Sequence, residues 1–332
     1  MTQATADSEA PGPGADGGEP RPTIVTAATT PLGRALIQEL HASNHSVLGV
    51  HADSDPRHVV AGVRYERVDL TRYRDAWELV RGAALELRVR AIVHTPLHRD
   101  PRDEGPAVWE QNVQSTRQLL ALSEQEPAIE RFVLRSFAEI YRVGHREPVL
   151  IAEDGPLDLS PDAPQRVRDR VEADLTVCAK MGLSPTKIAV LRCAEILEPD
   201  LGSQLYDYLF LSRLCLTPLG YDPMINVLSL ADAARALRMA VQSDTVGIFN
   251  IPGLDTLPLS RLARLSGAIA LPLPGPTLSP LYGLRALTRG TSFSYEMNRV
   301  RFHHSAVLDG RRAREQLGYE PRHRGHLDRR RV

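Results

Sequence analysis

TIVTAATTPLGRALIQEL, residues 23–40, passes from a short β-branched apolar run into a helical pattern through one tight turn. Thr23 to Thr26 have the composition of a buried parallel strand. Leu32, Leu36 and Leu40 recur at helical spacing, and Ile37 widens their stripe. Thr30 is placed to cap that helix. Pro31 sits in its first turn, where a missing N–H costs nothing. Strand, tight turn and helix make the opening unit of a dinucleotide-binding sheet. The turn reads Ala27-Ala28-Thr29-Thr30-Pro31-Leu32-Gly33, and Gly33 is its sole glycine. Ala27 and Thr30 carry β-carbons where a glycine would let the backbone approach a diphosphate.

The rhythm continues. Strands are predicted within HSVLGVHAD (45–53) and at 65–70, 90–94, 131–135 and 187–191. Helices are predicted at 73–88, 108–122 and 165–181. Such alternation predicts an α/β fold, a Rossmann-like doubly wound parallel sheet over residues 23–195. Beyond residue 200 the pattern loosens. A helix at 231–241, a strand at 247–251 and helices at 260–266 and 309–321 predict a smaller mixed α/β cap over 196–321. Gly318 and Pro321 would close the last helix. Residues 1–22 are rich in Gly, Pro, Ala and acid and have no apolar run. They read as a disordered tail, neither signal peptide nor anchor, whose deletion should move the melting temperature by about a degree or two at most. Residues 322–332 form a basic tail ending in Arg329-Arg330-Arg331. The uncharged stretch 268–284, AIALPLPGPTLSPLYGL, is broken by prolines and short for a membrane span. It reads as a packed loop with one helical turn, with membrane contact as the alternative.

A net charge of −1 over 332 residues supplies no general basic field for nucleic acid. Cys178, Cys193 and Cys215 match no metal or redox spacing and read as free thiols of a reducing, cytoplasmic compartment. His303 and His304 are adjacent, so their side chains diverge, and no third ligand accompanies them; no metal is expected.

Several segments, taken in order, resemble the extended short-chain dehydrogenase/reductases, the NAD-dependent epimerase/dehydratase family. They are the turn ending at Gly33, Val68-Asp69-Leu70, Ile92-Val93-His94 and Asn112-Val113-Gln114-Ser115-Thr116. FVLRSFAEIY (132–141), VLRCAEILEP (190–199), GIFNIPG (247–253) and QLGYEP (316–321) complete the series. The resemblance implies binding of NAD or NADP, a nucleotide or nucleotide-sugar-like substrate, and homodimers built on the helices at 108–122 and 165–181. The implied cofactor positions are Ala27, Thr29, Thr30, Pro31, Leu32, Gly33, His51, Asp69, Leu70, Thr95, Asn112 and Arg170. His51 stands where an acid would bind the adenosine ribose, with Asp53 two residues on. His51 and Arg57 would instead suit a 2′-phosphate. His94 matches a family histidine and reads as structural.

The family's proton-handling positions are altered. Its Ser or Thr falls on Phe137, and its YxxxK pair falls on Arg166 and Arg170. The chain's two lysines confirm the loss, since Thr176 precedes Lys180 by four and Leu183 precedes Lys187 by four. Arginine stays protonated and cannot act as a base, and phenylalanine has no polar atom to offer a substrate oxygen. Arg166, Arg168 and Arg170 read as a solvated helix face pairing with Asp169, Glu172 and Asp174, or alternatively as a cationic patch. Glu139 and Tyr141 are the candidate substitutes for the lost acid/base. Phe137, Arg166 and Tyr141 are expected close together in the groove. Three functions remain open: a catalytically degenerate sensor or partner protein that binds a nucleotide or metabolite, a working nucleotide-sugar enzyme with a displaced acid/base, and a ligand-free dimeric module.

Overall fold

A computed structural model describes residues 20–53, 59–96, 98, 100, 102–289 and 293–327. Its main sheet runs Gly247–Ile251, Lys187–Cys193, Arg131–Phe137, Ala91–His94, Thr23–Val25, Val47–His51 and Arg64–Arg67, with every neighbouring pair parallel. The chain starts inside the sheet, builds outward to one edge, then crosses back and builds to the other. The reversal falls beside Thr23–Val25 and opens a crevice at the strands' carboxyl ends. Alternation sorts the side chains. Ile24, Leu48, Ile92, Phe132 and Ile188 pack under the helical segments 73–86, 115–125 and 165–178. Val25, Val47, Val93, Val133 and Phe249 pack under helices Pro31–Ala42, Leu230–Gln242 and Arg311–Leu317.

The opening turn forms as its sequence predicts. Thr30 caps the first helix by accepting the Gly33 N–H at 3.1 Å, and its hydroxyl donates to the Ala27 carbonyl at 2.7 Å. Gly33 allows the helix to sit against the strand. A β-carbon there would lie 2.3 Å from the Ala27 carbonyl oxygen. Ala27 keeps a left-handed backbone, φ 50°, although it has a side chain. That conformation costs an L-residue about 1–2 kcal/mol.

Four expectations need correction. First, a boundary at residue 195 cuts the sheet, because Gly247–Ile251 is its edge strand beside Lys187–Cys193. Phe249 and Ile251 find their apolar partners there rather than in a cap. What remains as cap is a mixed α/β layer. It holds a small sheet of Glu195–Ile196, Met224–Leu228 and Asp255–Pro258, and its own core around Tyr208, Leu262, Tyr282 and Phe302. Second, the third strand ends at Arg67, and Val68 to Leu70 turn away into the crevice. Third, the proline-rich stretch is no loop. Ile269–Leu273 is a strand paired with Leu214–Pro218, and Gly275–Arg289 is a 15-residue helix. Pro276 lies in that helix's first turn, where no donor is needed. Pro280 lies inside it, but buried Leu278 and Tyr282 anchor the turns on either side. Fourth, the N-terminal segment packs before residue 23. Arg21 donates to the Val241 carbonyl at 2.8 Å and to Asp244 at 2.6 Å, and the Pro22 carbonyl accepts the Arg90 N–H at 2.8 Å. Together with Arg131, which donates to the Ala240 carbonyl at 2.9 Å, Arg21 satisfies the C-terminal carbonyls of helix Leu230–Gln242. The expectations for residues 1–19, Arg57 and Arg329 to Arg331 lie outside the described residues.

Gly33→Ala should therefore destabilise the fold by about 1–3 kcal/mol or more in urea unfolding, since the backbone oxygen it meets cannot swing aside. Arg21→Ala should cost about 1 kcal/mol or more, and truncation through residue 22 should lower the melting temperature accordingly.

Candidate functional site

Two sites lie along the carboxyl edge of the sheet. The first is a cavity of about 330 Å³ beside the opening turn. Ala27, Thr29, Thr30, His51, Asp69, Leu70 and Thr95 all line it, together with Asp53, His98 and Ser115. The Thr29 hydroxyl donates to the Asp53 carboxylate at 2.6 Å, holding an acceptor at the end of the second strand. Asp69 is turned back on its own loop and accepts the Thr71 N–H at 3.1 Å and hydroxyl at 2.6 Å. His51 is buried, and its Nδ1 has no partner among the described residues. Pro31, Leu32 and Gly33 do not line the cavity; they start the helix whose N-terminus faces it. Asn112 stands behind the wall, where its Oδ1 accepts the His98 N–H at 3.1 Å. His94 is structural. Its ring lies between the Thr26 and Thr116 hydroxyls, each at 3.0 Å, and burial pushes its pKa down to about 3.

The second site is an ionic centre where strand Arg131–Phe137 ends and helix Gln165–Cys178 passes over it. Arg166 and Arg170 are one helical turn apart and share a face. Both donate to Glu139, Arg166 at 2.5 Å to one carboxylate oxygen and Arg170 to the other. Arg301, from the distant helix Tyr295–His303, joins them at 3.5 Å and also pairs with Glu195 at 2.9 Å. The Phe137 ring lies between two guanidiniums, with Arg135 and Arg170 each 3.7 Å from its centroid. Burial alone would raise the Glu139 pKa, but Arg166, Arg170 and Arg301 outweigh it and hold the group at about 2. Burial lowers Arg170 to about 10 against the pull of Glu139.

Arg166 and Arg170 thus do not form a solvated face, and the expected intrahelical pairs are not made. Asp169 accepts from Asn112 and Gln165, Glu172 pairs with Arg117, and Asp174 pairs with Arg192. The reason is tertiary. The short turn Ala138–Ile140 lays Glu139 over the face that carries both arginines.

The grouping of Phe137, Arg166 and Tyr141 is corrected in part. Phe137 and the two arginines share one centre, but Tyr141 points elsewhere. Its hydroxyl donates to Asn250 at 2.7 Å and accepts from Arg192 at 2.9 Å, inside the core. Burial pushes its pKa up to about 12 despite the nearby Arg192. Ser136 also turns away from the groove and donates to Asp174 at 2.5 Å. Sequence reasoning missed Arg135, Glu195, Arg301 and Asn298, whose Oδ1 accepts from Arg166 at 3.3 Å. Arg135 carried a signal, being two residues before Phe137 on one strand and so on the same side. Glu195 lies in the family-like segment 190–199, whereas Asn298 and Arg301 come from a remote segment and carried no signal. Among the described residues no group of His, Cys, Asp and Glu could hold a metal ion.

Residues 23–166 match the model of the NAD dependent epimerase/dehydratase family. An uncharacterized protein of Mycobacterium tuberculosis is 28% identical over 312 residues, covering 91% of this chain and 81% of that one. Among solved structures, dTDP-glucose 4,6-dehydratase from Bacillus anthracis, in complex with NAD, superposes with a TM-score of 0.66 at 16% identity, over 91% of this chain and 92% of that one. UDP-glucose 4-epimerase from Thermotoga maritima, with UDP-glucose, gives 0.68 at 14% identity, over 90% and 93%. WbmG from Bordetella bronchiseptica, in complex with NAD and UDP, gives 0.68 at 15% identity, over 92% and 91%. At these identities the likeness is one of fold.

Removing the central carboxylate should be severe. Glu139→Gln leaves Arg166 and Arg170 buried without their counter-charge and should cost about 3–5 kcal/mol in chemical denaturation. The pH dependence has a definite sign. The folded pKa lies below the ordinary 4.5, so this carboxylate's contribution is fully present above 4.5 and is lost as pH falls toward 2. The parent's stability should fall through that window more steeply than the variant's.

Proposed function

We propose that this protein binds a dinucleotide of the NAD or NADP class in the cavity beside residues 26–30 and acts as a sensor or partner protein rather than as an oxidoreductase. The observation that carries the reading is the ionic centre. Glu139 bridges Arg166 and Arg170 beside Phe137, at the positions that the family resemblance gives to proton-handling groups. A bound nicotinamide would supply hydride acceptance, but none of these side chains can exchange the accompanying proton near neutral pH. Phe137 has no polar atom, the arginines stay cationic, and a carboxylate with a pKa of about 2 is too weak a base.

The residues around the cavity fit a nucleotide. Backbone N–H groups at the start of the first helix favour a diphosphate. Asp53, fixed by Thr29, offers an acceptor for ribose hydroxyls, and the Nδ1 of buried His51, without a partner among the described residues, offers another polar contact. The Ala27 and Thr30 side chains narrow the diphosphate position relative to glycine, which favours modest affinity. A second small molecule of the nucleotide-sugar class would lie between sheet and cap, near Glu195, Asn226 and Arg301. This assigns residues 23–195, with the added strand Gly247–Ile251, to the nucleotide and the cap to the second ligand. The reducing environment of the cytoplasm suits its free cysteines. The enzyme with a displaced acid/base has weaker support, because Tyr141 is sealed in the core with its pKa raised to about 12.

Thermal unfolding with NAD⁺, NADP⁺ and UDP-glucose tests the reading. A nucleotide at about 100 times its Kd should add about 2.7 kcal/mol of stability, and no nicotinamide reduction should accompany added sugar nucleotide. No stabilisation by either dinucleotide would contradict binding. Sugar oxidation abolished by Tyr141→Phe would contradict the loss of catalysis.

A further inference from the structure

The helix Gly275–Arg289 has an apolar outer side as well as a buried one. Leu278 and Tyr282 face the cap core, with the Tyr282 hydroxyl donating to the Leu216 carbonyl at 3.0 Å. On the other side Leu281, Leu284 and Leu287 follow at three-residue spacing and are 41%, 59% and 87% exposed. Pro280 and Gly283 complete that side, and Arg285 is the sole charged residue before Arg289. Exposed apolar side chains grouped on one side of a helix mark an interaction surface.

The surface continues across the adjoining strands. Ile269 and Leu271 share a strand face and are 71% and 42% exposed. Ile269 is paired with exposed Leu214, whose carbonyl accepts from Arg285 at 2.8 Å, so strand and helix form one surface. Its charge is one-sided. Residues 256–295 contain four arginines and no acid. Arg261 and Arg264 are exposed on helix Leu259–Leu265, which precedes the strand, and Arg213 is exposed where its carbonyl accepts the Ile269 N–H at 2.8 Å. The neighbouring acids are engaged. Asp222 accepts from Ser260 and Glu296 from Ser279.

We propose that this surface docks on an anionic lipid bilayer, with the leucines and Ile269 in the acyl boundary and the arginines among the headgroups. Chemistry favours lipid over a protein groove. The exposed leucines and Ile269 lie beside exposed arginines, whose charge is complementary to acidic lipid headgroups. Apolar burial and arginine attraction to acidic lipid then act together. Spanning is excluded, because 15 residues reach about 22 Å against a hydrocarbon core of about 30 Å.

Co-sedimentation of the full chain with vesicles tests this. The protein should pellet with phosphatidylcholine vesicles containing about a third phosphatidylserine, should not pellet with phosphatidylcholine alone, and should be released by high salt. Leu284→Glu with Leu287→Glu should reduce binding about tenfold or more at an unchanged melting temperature, since both side chains are exposed. Arg261→Glu with Arg264→Glu, whose fold does not depend on the leucines, should remove the preference for acidic lipid. Failure to bind acidic vesicles at low salt would overturn the proposal, as would binding unaffected by both pairs. Self-association in gel filtration that the leucine changes abolish, without vesicle binding, would assign the surface to a second copy of the chain instead.

Discussion

Glu139 is a buried carboxylate surrounded by guanidinium groups, and a buried charge is tolerable only when it is paired. Its partners come from separate parts of the chain: Arg166 and Arg170 from the helix over the sheet, and Arg301 from the cap. Satisfying that one group therefore fixes the strand end at Phe137, the position of helix Gln165–Cys178 and the docking of the cap. Phe137 contributes a second constraint, since its ring is held between Arg135 and Arg170. On the proposed reading, the same contacts that order this region remove its capacity to move a proton. Arg135 and Arg170 lie against the Phe137 ring, and Glu139 beside it is paired with arginines.

The cavity beside the opening turn is built differently. It depends on backbone shape, in particular the left-handed Ala27, the Thr30 cap and the close packing at Gly33. None of these three features involves a residue of the ionic centre. A binding cleft and a proton-transfer centre are thus physically separable in this fold. On the proposed reading, the first is kept in shape while the second has become a structural ion cluster. Loss of chemistry need not entail loss of ligand binding.

Most of the sheet was legible in the sequence because its signals are local. The β-branched run at Thr23 to Thr26, the Leu32, Leu36 and Leu40 stripe and the Thr30 cap each depend on neighbours within a turn or two. Gly247–Ile251 was recognisable as a strand, but its place in the main sheet was not, because pairing with Lys187–Cys193 is set by tertiary packing. The helix Gly275–Arg289 was hidden by its prolines, whose cost depends on where in a helix they fall. Within the ionic centre, Phe137, Arg166 and Arg170 could be brought together through the family resemblance, which assigns all three to one groove. Arg301 could not, and neither could the direction of Tyr141, which a three-residue turn after Phe137 sends into the core. The solvated reading of the arginine face failed because charge periodicity along a helix does not reveal which tertiary partner covers it.

The ionisation of Glu139 bears most directly on this account. With carbon-13-labelled glutamate, and Glu139→Gln to assign the resonance, the side-chain carboxyl signal can be followed through a pH titration of the folded protein. The account requires that Glu139 stay ionised across the neutral and mildly acidic range, with its midpoint near 2. A midpoint close to neutrality would contradict it, because Glu139 would then be a proton carrier poised for catalysis rather than the locked counter-ion of Arg166 and Arg170.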